Sequence, residues 1–402
     1  MKITDMCTGC ALCINICPQN AITMGKNNKG FIVPKVDNNL CSSCDKCKSI
    51  CPQNGMPDVM SGESKISASW SKDDELRNRC TSGGVFYGLA SKIICRNGVV
   101  YGAALNDKFD VEHIRVDSKE ELYRLVGSKY VQSNMSNVFK DISEDLLKGK
   151  PVLFSGTPCQ NAAIKKYIDN DIQENLYLID IFCHGVPSPM FWRDYIDDKM
   201  DTIIDINEIS FRDKTSGWTT YSMRIESKKG DVYLNDMYND PFLIAFRNDY
   251  IDCETCYECK YASTKRQGDI TLGDFWGYVS EKFSKRNTDK GISAVMINSE
   301  KGNEIYNEIK NEYMFVEKEI EEVKNGNPIL IKPFKKNKRY DEFWNDYLEH
   351  GFEYVREKYL RPGKESKKSK ISRMIDKYSF LMPFGTRKIY DKMKSKSKGN
   401  SK

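Results

Sequence analysis

Long apolar runs are missing from this sequence of 402 residues. No uninterrupted apolar stretch approaches the roughly 18 residues that a membrane-spanning helix needs, so we expect no transmembrane segment. The opening MKITDMC also has no apolar stretch ahead of the first cysteine pair, which argues against a secretory signal peptide and an oxidising compartment. We therefore expect a cytoplasmic protein whose 15 cysteines are reduced rather than joined in disulfides.

Positive charge is concentrated at the carboxyl end of the chain. Residues 364–402 hold 13 Lys or Arg against three acidic residues, whereas the whole chain has a formal net charge of only +5. The body is therefore mildly acidic and the tail basic. Apolar residues recur in this tail at roughly helical spacing, at Ile371, Met374, Ile375, Tyr378 and Leu381. The pattern has two interpretations: a basic amphipathic helix in peripheral contact with an anionic membrane, or a solvated terminus.

The distribution of cysteine, glycine and proline divides the chain. Cysteines are dense up to Cys51, and residues 54–67, rich in Gly, Pro and Ser, are typical of a linker. The remaining length allows one or two further packed units. We predict an α+β protein with a cysteine-rich module at 1–60, a mixed α/β body in two parts at 61–150 and 151–345, and a helical segment with the basic tail at 346–402.

The N-terminal module holds two complete cysteine runs of the bacterial ferredoxin type. Each run has the spacing C-x2-C-x2-C-x3-C-P, in which three close thiolates bind one [4Fe–4S] cluster and the fourth reaches the other cluster. Structural zinc, the alternative, needs four thiolates in a closed tetrahedron and has no use for this interleaved pattern. The predicted ligands are Cys7, Cys10, Cys13 and Cys51 for cluster one, and Cys41, Cys44, Cys47 and Cys17 for cluster two.

Two predicted strands of the body end in loops that carry a cysteine. The strand Pro151–Ser155 leads through Gly156, Thr157 and Pro158 to Cys159, and the strand Leu176–Phe182 leads to Cys183, His184 and Gly185. Because ligands bind at the carboxyl edge of open α/β sheets, we expect both loops to face one site. Further predicted elements are a helix at 83–94, strands at Val99–Leu105, Asp269–Leu272 and Ile292–Asn298, and a helix near Glu300–Glu312.

A third cysteine group, Cys253, Cys256 and Cys259, has the same close spacing without a fourth cysteine nearby. Three local ligands and one remote ligand would hold a third [4Fe–4S] cluster. We favour Cys183 as the remote ligand because it lies in a strand-end loop, and the other candidates are Cys159, Cys80 and Cys95. The alternatives are a zinc knuckle with His184 as fourth ligand, or three thiols that bind no metal.

Short motifs of the body, taken in order, resemble the beta-subunit family of coenzyme F420-reducing hydrogenase and F420-linked formate dehydrogenase. The resemblance runs from about residue 68 to about residue 345. It implies a bound FAD, at least one [4Fe–4S] cluster in the body, and oxidation or reduction of a substrate lying against the flavin. The motifs are Thr81-Ser82-Gly83-Gly84, Gly127-Ser128-Lys129-Tyr130, the segments 155–160 and 183–188, the Cys253 group, and Gly268–Gly277.

The chemistry of several residues is compatible with a flavin. The segment Ser82-Gly83-Gly84 before a helix offers backbone N–H groups to a phosphate, and Lys129 adds a charge, although such a segment is also an ordinary helix cap. Gly156 and Thr157 belong to a tight loop that allows close approach to a flavin ring. We name these six residues as candidate cofactor-binding residues. The candidate catalytic residues are Cys159 and His184. The alternative is that each of them has only a structural role.

These observations predict an enzyme. Clusters carry one electron each, and a flavin converts single electrons into the pairs that organic reductions need. We expect an FAD and [4Fe–4S] oxidoreductase that takes electrons from ferredoxin and passes them to F420 or a small molecule of undetermined identity. The alternative is a non-catalytic electron-transfer protein that serves a partner enzyme, for instance in surface polysaccharide biosynthesis. Eight ferredoxin-spaced cysteines argue against a zinc-stabilised nucleic-acid-binding protein.

Overall fold

The computed structural model describes residues 3–60, 64–200, 205–278 and 289–362. Within these ranges the strands form a two-stranded, a three-stranded and an eight-stranded sheet. Every helix in the same ranges is too short or too polar to cross a membrane. The basic tail at 364–402, with its predicted amphipathic pattern, lies outside the described residues.

The secondary structure alternates helices and strands along most of the chain. The strands are β1 (Ile22–Lys26), β2 (Ile32–Val36), β3 (Lys65–Ser71), β4 (Val99–Leu105), β5 (Val111–Val116), β6 (Val152–Gly156), β7 (Leu176–Ile181), β8 (Ile206–Asp213), β9 (Ser222–Ser227), β10 (Val232–Asp236), β11 (Ile270–Asp274), β12 (Ser293–Ile297) and β13 (Tyr313–Glu317). The helices are α1 (Leu12–Ile16), α2 (Lys46–Ile50), α3 (Asp74–Arg79), α4 (Val85–Cys95), α5 (Leu122–Leu125), α6 (Val138–Leu147), α7 (Pro158–Tyr167), α8 (Pro189–Met200), α9 (Pro241–Arg247), α10 (Glu300–Ile309), α11 (Ile320–Gly326) and α12 (Tyr340–Tyr359).

The N-terminal module is built from the β1–β2 hairpin and the two short helices α1 and α2. Each helix contains the third cysteine of a run and ends where the fourth follows, at Cys17 and at Cys51. The module has a small apolar core in which Ile3 and Ile22 pack with Cys47 and Cys51. So small a core buries little apolar surface, which is why domains of this size depend on metal or disulfide cross-links.

The large sheet has the strand order β13-β3-β12-β11-β7-β6-β4-β5. Strands β4, β6, β7 and β11 are mutually parallel, and the strands outside them on both sides run antiparallel to their neighbours. The parallel strands are near-continuous apolar runs because helices cover both faces, with α4 and α10 on one and α6 and α7 on the other. The carboxyl ends of the parallel strands therefore meet at one edge.

A second layer, the antiparallel sheet β10-β9-β8, packs with α8, α9 and α12. Its core is aromatic: Trp192 is fully buried, and its ring lies 4.6 Å from that of Phe211 and 5.0 Å from that of Phe242 between centroids. Stacked and edge-on aromatic pairs of this kind add to the free energy gained by burying their area. This layer closes over the strand ends of the large sheet.

The mixed α/β prediction is confirmed, and most predicted body elements are present within a few residues. The strand at Val99–Leu105 has the predicted bounds, and the helix predicted at 83–94 is α4. Strand β3 begins at Lys65, inside the segment predicted to be a linker. The prediction also omitted β8, β9 and β10, which complete the second layer.

Candidate functional site

The eight cysteines of the N-terminal module surround two separate cavities. One cavity is lined by Cys7, Cys10, Cys13 and Cys51, and the other by Cys17, Cys41, Cys44 and Cys47. The fold thus brings together three cysteines of one run with the last cysteine of the other, which is the grouping that interleaved ligation requires.

The loops around these cavities have a repeated and unusual backbone conformation. Gly9 and Ala11 in the first run have φ of 70° and 62°, and Ser43 and Asp45, at the matching positions of the second run, both have φ of 55°. Left-handed conformations cost energy at Ala, Ser and Asp, and such strained backbone is found where a functional site stabilises it. They turn backbone N–H groups toward sulfur: Leu12 donates to Cys10, and Lys46 donates to Cys44.

Burial makes four of these thiols, Cys7, Cys10, Cys13 and Cys47, weaker acids. It raises the pKa of Cys7 to about 11 and that of Cys13 to about 12. Cys44 differs because it is exposed, and the hydrogen bond from Lys46 lowers its pKa. The cavity that Cys44 lines therefore lies at the solvent side of the module, and the cavity that Cys7 lines lies at the side that contacts the body.

Five cysteines of the body gather beside the cluster-one cavity. Cys253 and Cys256 share a hydrogen bond that lowers the pKa of Cys253 and raises that of Cys256. Burial raises the pKa of Cys183 well above its usual range, and the nearby Cys159 and Cys259 raise it further. The structure thus brings both strand-end loops to the third cysteine group.

The other two proposed remote ligands lie elsewhere. Cys80 is buried beside Gly84 and Lys214, and Cys95 is exposed at the end of α4. Cys159 and Cys183 therefore remain as fourth-ligand candidates. Cys159 also reaches the N-terminal module, since it is close to Cys10 and bonds to Thr8.

In the predicted cofactor loop at Gly156 and Thr157, the backbone N–H of Thr157 is already used in a hydrogen bond that caps helix α7. The Thr157 backbone N–H donates to Oε1 of Gln160 at 2.8 Å, in a capping box that starts α7. The Thr157 hydroxyl lies 3.1 Å from Sγ of Cys159. In this arrangement the loop positions Cys159 at the cysteine group.

The second predicted cofactor segment lies at the start of α4, which no described side chain caps. The Ser82 hydroxyl is buried without a hydrogen-bond partner among the described residues. The Gly83 N–H donates to Ser293 Oγ at 3.0 Å, and Gly84 begins the helix with φ of 86°. Thr81, just before this segment, accepts a hydrogen bond from Ser128 N–H at 2.8 Å and so holds Lys129 close by.

Two lysines with backbone partners lie near this segment. Lys129 Nζ donates to the carbonyls of Arg124 and Val126 at 2.9 Å each, and burial lowers the pKa of Lys129 to about 7. Lys214 donates to the Ser82 carbonyl at 3.3 Å, and burial lowers its pKa to about 8. Two ammonium groups with depressed pKa values beside a helix start are the electrostatic environment in which an anion binds well.

Arg212, which the sequence did not identify, links Tyr130 to Asp274 at the end of β11. Its guanidinium donates to Asp274 at 2.6 Å and to the Tyr130 hydroxyl at 3.2 Å, while its buried Nε has no partner among the described residues. Trp218 donates to the same Asp274 at 3.0 Å and stacks on Trp276 at 4.8 Å between centroids. Nothing in the local sequence distinguishes Arg212 from a surface arginine of a strand.

Asp180 and Arg266, also not predicted, form a buried ion pair between β7 and the cysteine loop. They are 0% and 3% exposed, and Arg266 Nη2 lies 3.1 Å from Asp180 Oδ1. Arg266 also donates to the carbonyls of Ser263 at 2.9 Å and Ile181 at 2.9 Å. The pair therefore ties the segment after Cys259 to the strand that leads to Cys183.

His184 faces two aspartates rather than the cysteines. Its Nε2 lies 2.7 Å from Oδ1 of Asp249, and Asp252 is the third member of the same group. Asp252 is 1% exposed, and burial raises its pKa to about 7. The sequence offered one signal for this aspartate, its place directly before Cys253.

A separate cavity of about 820 Å³ lies at the opposite edge of the sheet, near the start of β11. Lys65, Arg266, Asn298 and Lys318 contribute to its lining. The residues predicted to bind a cofactor or to act in catalysis are not in that lining, and we give this cavity no role.

Two family models match the chain, one in the N-terminal module and one in the body. Residues 6–54 match the 4Fe-4S dicluster domain, and residues 149–323 match the C terminus of the beta subunit of coenzyme F420 hydrogenase/dehydrogenase. One polypeptide thus carries a segment similar to each of these two families. The beta-subunit domain, as we call residues 149–323, contains the Cys253 group, Cys159 and Cys183, and the resemblance inferred from the motifs is confirmed. Together the two domains support an iron–sulfur electron-transfer function of the oxidoreductase type.

Comparisons with curated proteins and with solved structures add little to these two family matches. No curated protein matches the chain. A solved structure of the F420-reducing [NiFe] hydrogenase complex from Methanosarcina barkeri, derivatised with xenon, aligns with a TM-score of 0.46 at 17% identity. The alignment covers 75% of this chain and 92% of that chain. A likeness of this degree carries no argument about ligands.

Proposed function

We propose that the protein is an iron–sulfur flavoprotein oxidoreductase, in which electrons from a one-electron donor such as ferredoxin pass through the clusters to FAD and then to a substrate. The observation that carries this proposal is the continuous series of cysteine groups. The cavity lined by Cys44 faces solvent, the cavity lined by Cys7 lies against the body, and the five body cysteines lie beside that second cavity. Electron transfer between clusters needs this kind of proximity and no covalent chemistry.

Direct contacts link the cluster-one loop to the third cysteine group. Thr255 Oγ1, between two cysteines of that group, donates to the Cys7 carbonyl at 3.0 Å. Tyr261, two residues after Cys259, lies near Cys10 and Cys51 and donates to the Pro52 carbonyl at 3.4 Å. These short contacts support transfer between the two sites.

For the third cluster we propose the ligands Cys253, Cys256, Cys259 and Cys183. Cys159 is proposed as the thiol between clusters one and three, because it is close to Cys10 on one side and to Cys259 on the other. The catalytic roles predicted for Cys159 and His184 stay predictions, and we assign neither residue a step in the reaction.

For the flavin we propose the edge formed by Ser82, Gly84, Lys129, Lys214 and Arg212. The unpartnered Ser82 hydroxyl and Arg212 Nε supply hydrogen-bond donors, and the lysines supply charge for the pyrophosphate. When bound there, the flavin would supply the exchange between single electrons and electron pairs. The family name suggests F420 as one substrate, and other small molecules remain candidates for the same edge.

The ligand assignment is tested by iron content in two variants, Cys183→Ser and Cys159→Ser. The full chain is purified without oxygen, and iron and zinc are measured per chain. We expect Cys183→Ser to lose about four irons, the content of one cluster, and Cys159→Ser to keep them. The reverse result would move the fourth-ligand role to Cys159, and zinc in place of iron would contradict a third cluster.

A further inference from the structure

His184, Asp249 and Asp252 form a three-residue group where the segment after β7 meets the segment after α9. Their nearest donor atoms, one imidazole nitrogen and two carboxylate oxygens, lie within 4.8 Å of one another. None of the three is a cysteine, and all of them lie within residues 149–323, the segment that matches the beta-subunit family. Carboxylates in proximity do not by themselves make a binding site. Whether this group binds a ligand depends on the surroundings of each side chain.

The decisive feature is the carboxylate of Asp252. This residue is 1% exposed, and neither of its carboxylate oxygens has a hydrogen-bond partner among the described residues. A buried carboxylate without a partner is strongly unfavourable, and proteins normally satisfy one with donors or a metal ion. Here the missing partner belongs on the side of His184 and Asp249, where the other donor atoms converge.

The backbone holds these donor atoms in place. Pro187 and Asp252 form an antiparallel bridge, flanked by hydrogen bonds from Ser188 N–H to the Ile251 carbonyl and from Cys253 N–H to the Val186 carbonyl. The Tyr340 hydroxyl donates to the Asp252 carbonyl at 3.1 Å. A set of ligands fixed in this way before binding loses little conformational entropy when an ion arrives.

Aromatic rings fix the imidazole from the other side. The His184 ring lies 3.7 Å from that of Phe334 and 5.0 Å from that of Phe246 between centroids. The side chains of His184 and Asp249 remain 28% and 22% exposed, which leaves a path for an ion from solvent.

We propose that His184, Asp249 and Asp252 bind a divalent cation of the Zn²⁺, Mn²⁺ or Fe²⁺ class. Divalent ions of this class accept one imidazole and two carboxylates as ligands, and three protein ligands leave positions for water. The ion supplies the partner that Asp252 lacks. With neutral imidazole its charge also balances those of the two carboxylates, one of which, that of Asp252, lies near Cys183 and Cys253.

The inference does not rest on the proposed function, because it needs neither a flavin nor a particular substrate. It does compete with the predicted catalytic role of His184. An Nε2 that binds a metal ion has no proton to donate, so the two roles exclude each other at that atom.

The test uses Mn²⁺ as the probe, because this hard cation avoids thiolate sites and reports its ligands by electron paramagnetic resonance. The full chain is loaded with iron and sulfide, its iron content is recorded, and Mn²⁺ is titrated while the signal of the free ion is followed. We expect about one tight Mn²⁺ per chain, with a nitrogen coupling from one imidazole. Asp252→Asn and Asp249→Asn should each weaken binding at least about tenfold at unchanged iron content.

Glu254→Gln is the matched control, since it removes a carboxylate on the other side of Cys253 from a side chain that is 58% exposed and paired with Lys29. It should bind Mn²⁺ like the unmodified protein. The inference is overturned if the unmodified protein binds no Mn²⁺, or if both aspartate variants bind it with unchanged affinity. Asp249→Asn keeps the test decisive if Asp252→Asn fails to fold, because Asp249 is partly exposed.

Discussion

At the scale of single residues, the charged side chains around the site fall into two kinds. Asp180 and Arg266 satisfy each other and nearby backbone groups, as buried ion pairs must. Lys129 and Lys214 donate to backbone carbonyls and form no ion pair among the described residues, so no carboxylate neutralises their charge. The first kind indicates a structural role, and the second a role in binding an anion.

Replacing Arg266 with Met should destabilise the protein severely. Asp180 would keep only its bonds from the backbone N–H groups of Gln267 and Gly268, and would remain as a buried charge without its counter-ion. We expect a loss of about 3–5 kcal/mol in the free energy of unfolding, measured by denaturant titration. The control Arg361→Met removes an arginine whose side chain is 72% exposed and should cost at most about 1 kcal/mol. Equal losses in the two variants would contradict the structural role.

FAD binding should weaken as pH rises through the pKa of Lys129. In the ligand-free protein this ammonium has a pKa of about 7, because burial disfavours the charged form. A bound pyrophosphate raises the pKa, so affinity is full below pH 7 and declines above it. We expect binding about tenfold weaker at pH 8 than at pH 6, measured by the quenching of FAD fluorescence.

In the same assay, Lys129→Met should bind FAD weakly at both pH values and lose most of this dependence. Arg124→Met, a change of an exposed cation in the same stretch of chain, should retain it. A dependence that persists in Lys129→Met would assign the effect to another group, such as Lys214.

At the scale of elements, the N-terminal module is docked on the body by close backbone approaches. Gly30, in the turn between β1 and β2, has φ of 76°, and a Cβ added there would lie 2.1 Å from Cβ of Met190 in α8. Ser188 donates to the Lys29 carbonyl at 2.6 Å, and Gln132 accepts from Ile32 N–H at 2.6 Å. These contacts keep cluster one against the third cysteine group.

Gly30→Ala should therefore separate the module from the body. We expect slower reduction of the body cofactors by an external donor, with little change in iron content, as measured by stopped-flow spectroscopy. Gly230→Ala is the matched control, because Gly230 also has positive φ, at 90°, but no atom lies within 4 Å of its added Cβ. The control should lose about 1–2 kcal/mol from backbone strain alone and keep the rate of transfer. Similar rates in both variants would contradict the docking account.

The sequence predicted the elements whose signals are local. Apolar runs identified β4, β6 and β7, and the cysteine spacing predicted the grouping seen around the two cavities. The three-stranded sheet was missed because its edge strand β10 is short and its apolar residues, Val232 and Leu234, are exposed. Arg212 and Asp252 were missed because their importance comes from burial, which depends on distant parts of the chain.

At the scale of the whole molecule, the fold gathers the candidate sites at one edge of the large sheet. In the N-terminal module the cavity with Cys44 faces solvent and the cavity with Cys7 contacts the body, while the carboxyl edge of the large sheet carries the third cysteine group and the basic edge near Ser82. The aromatic second layer covers the same edge. This arrangement is the physical basis for assigning entry of electrons to the module and their use to the body.

The central claim is tested most directly by the cofactor content of the intact protein, purified without oxygen. Iron, acid-labile sulfide, zinc and flavin are measured per chain on one sample, after incubation with FAD and removal of the excess. The account predicts about twelve irons with matching sulfide and about one FAD. About eight irons without flavin would contradict it, and would leave the N-terminal clusters as the supply for a partner enzyme.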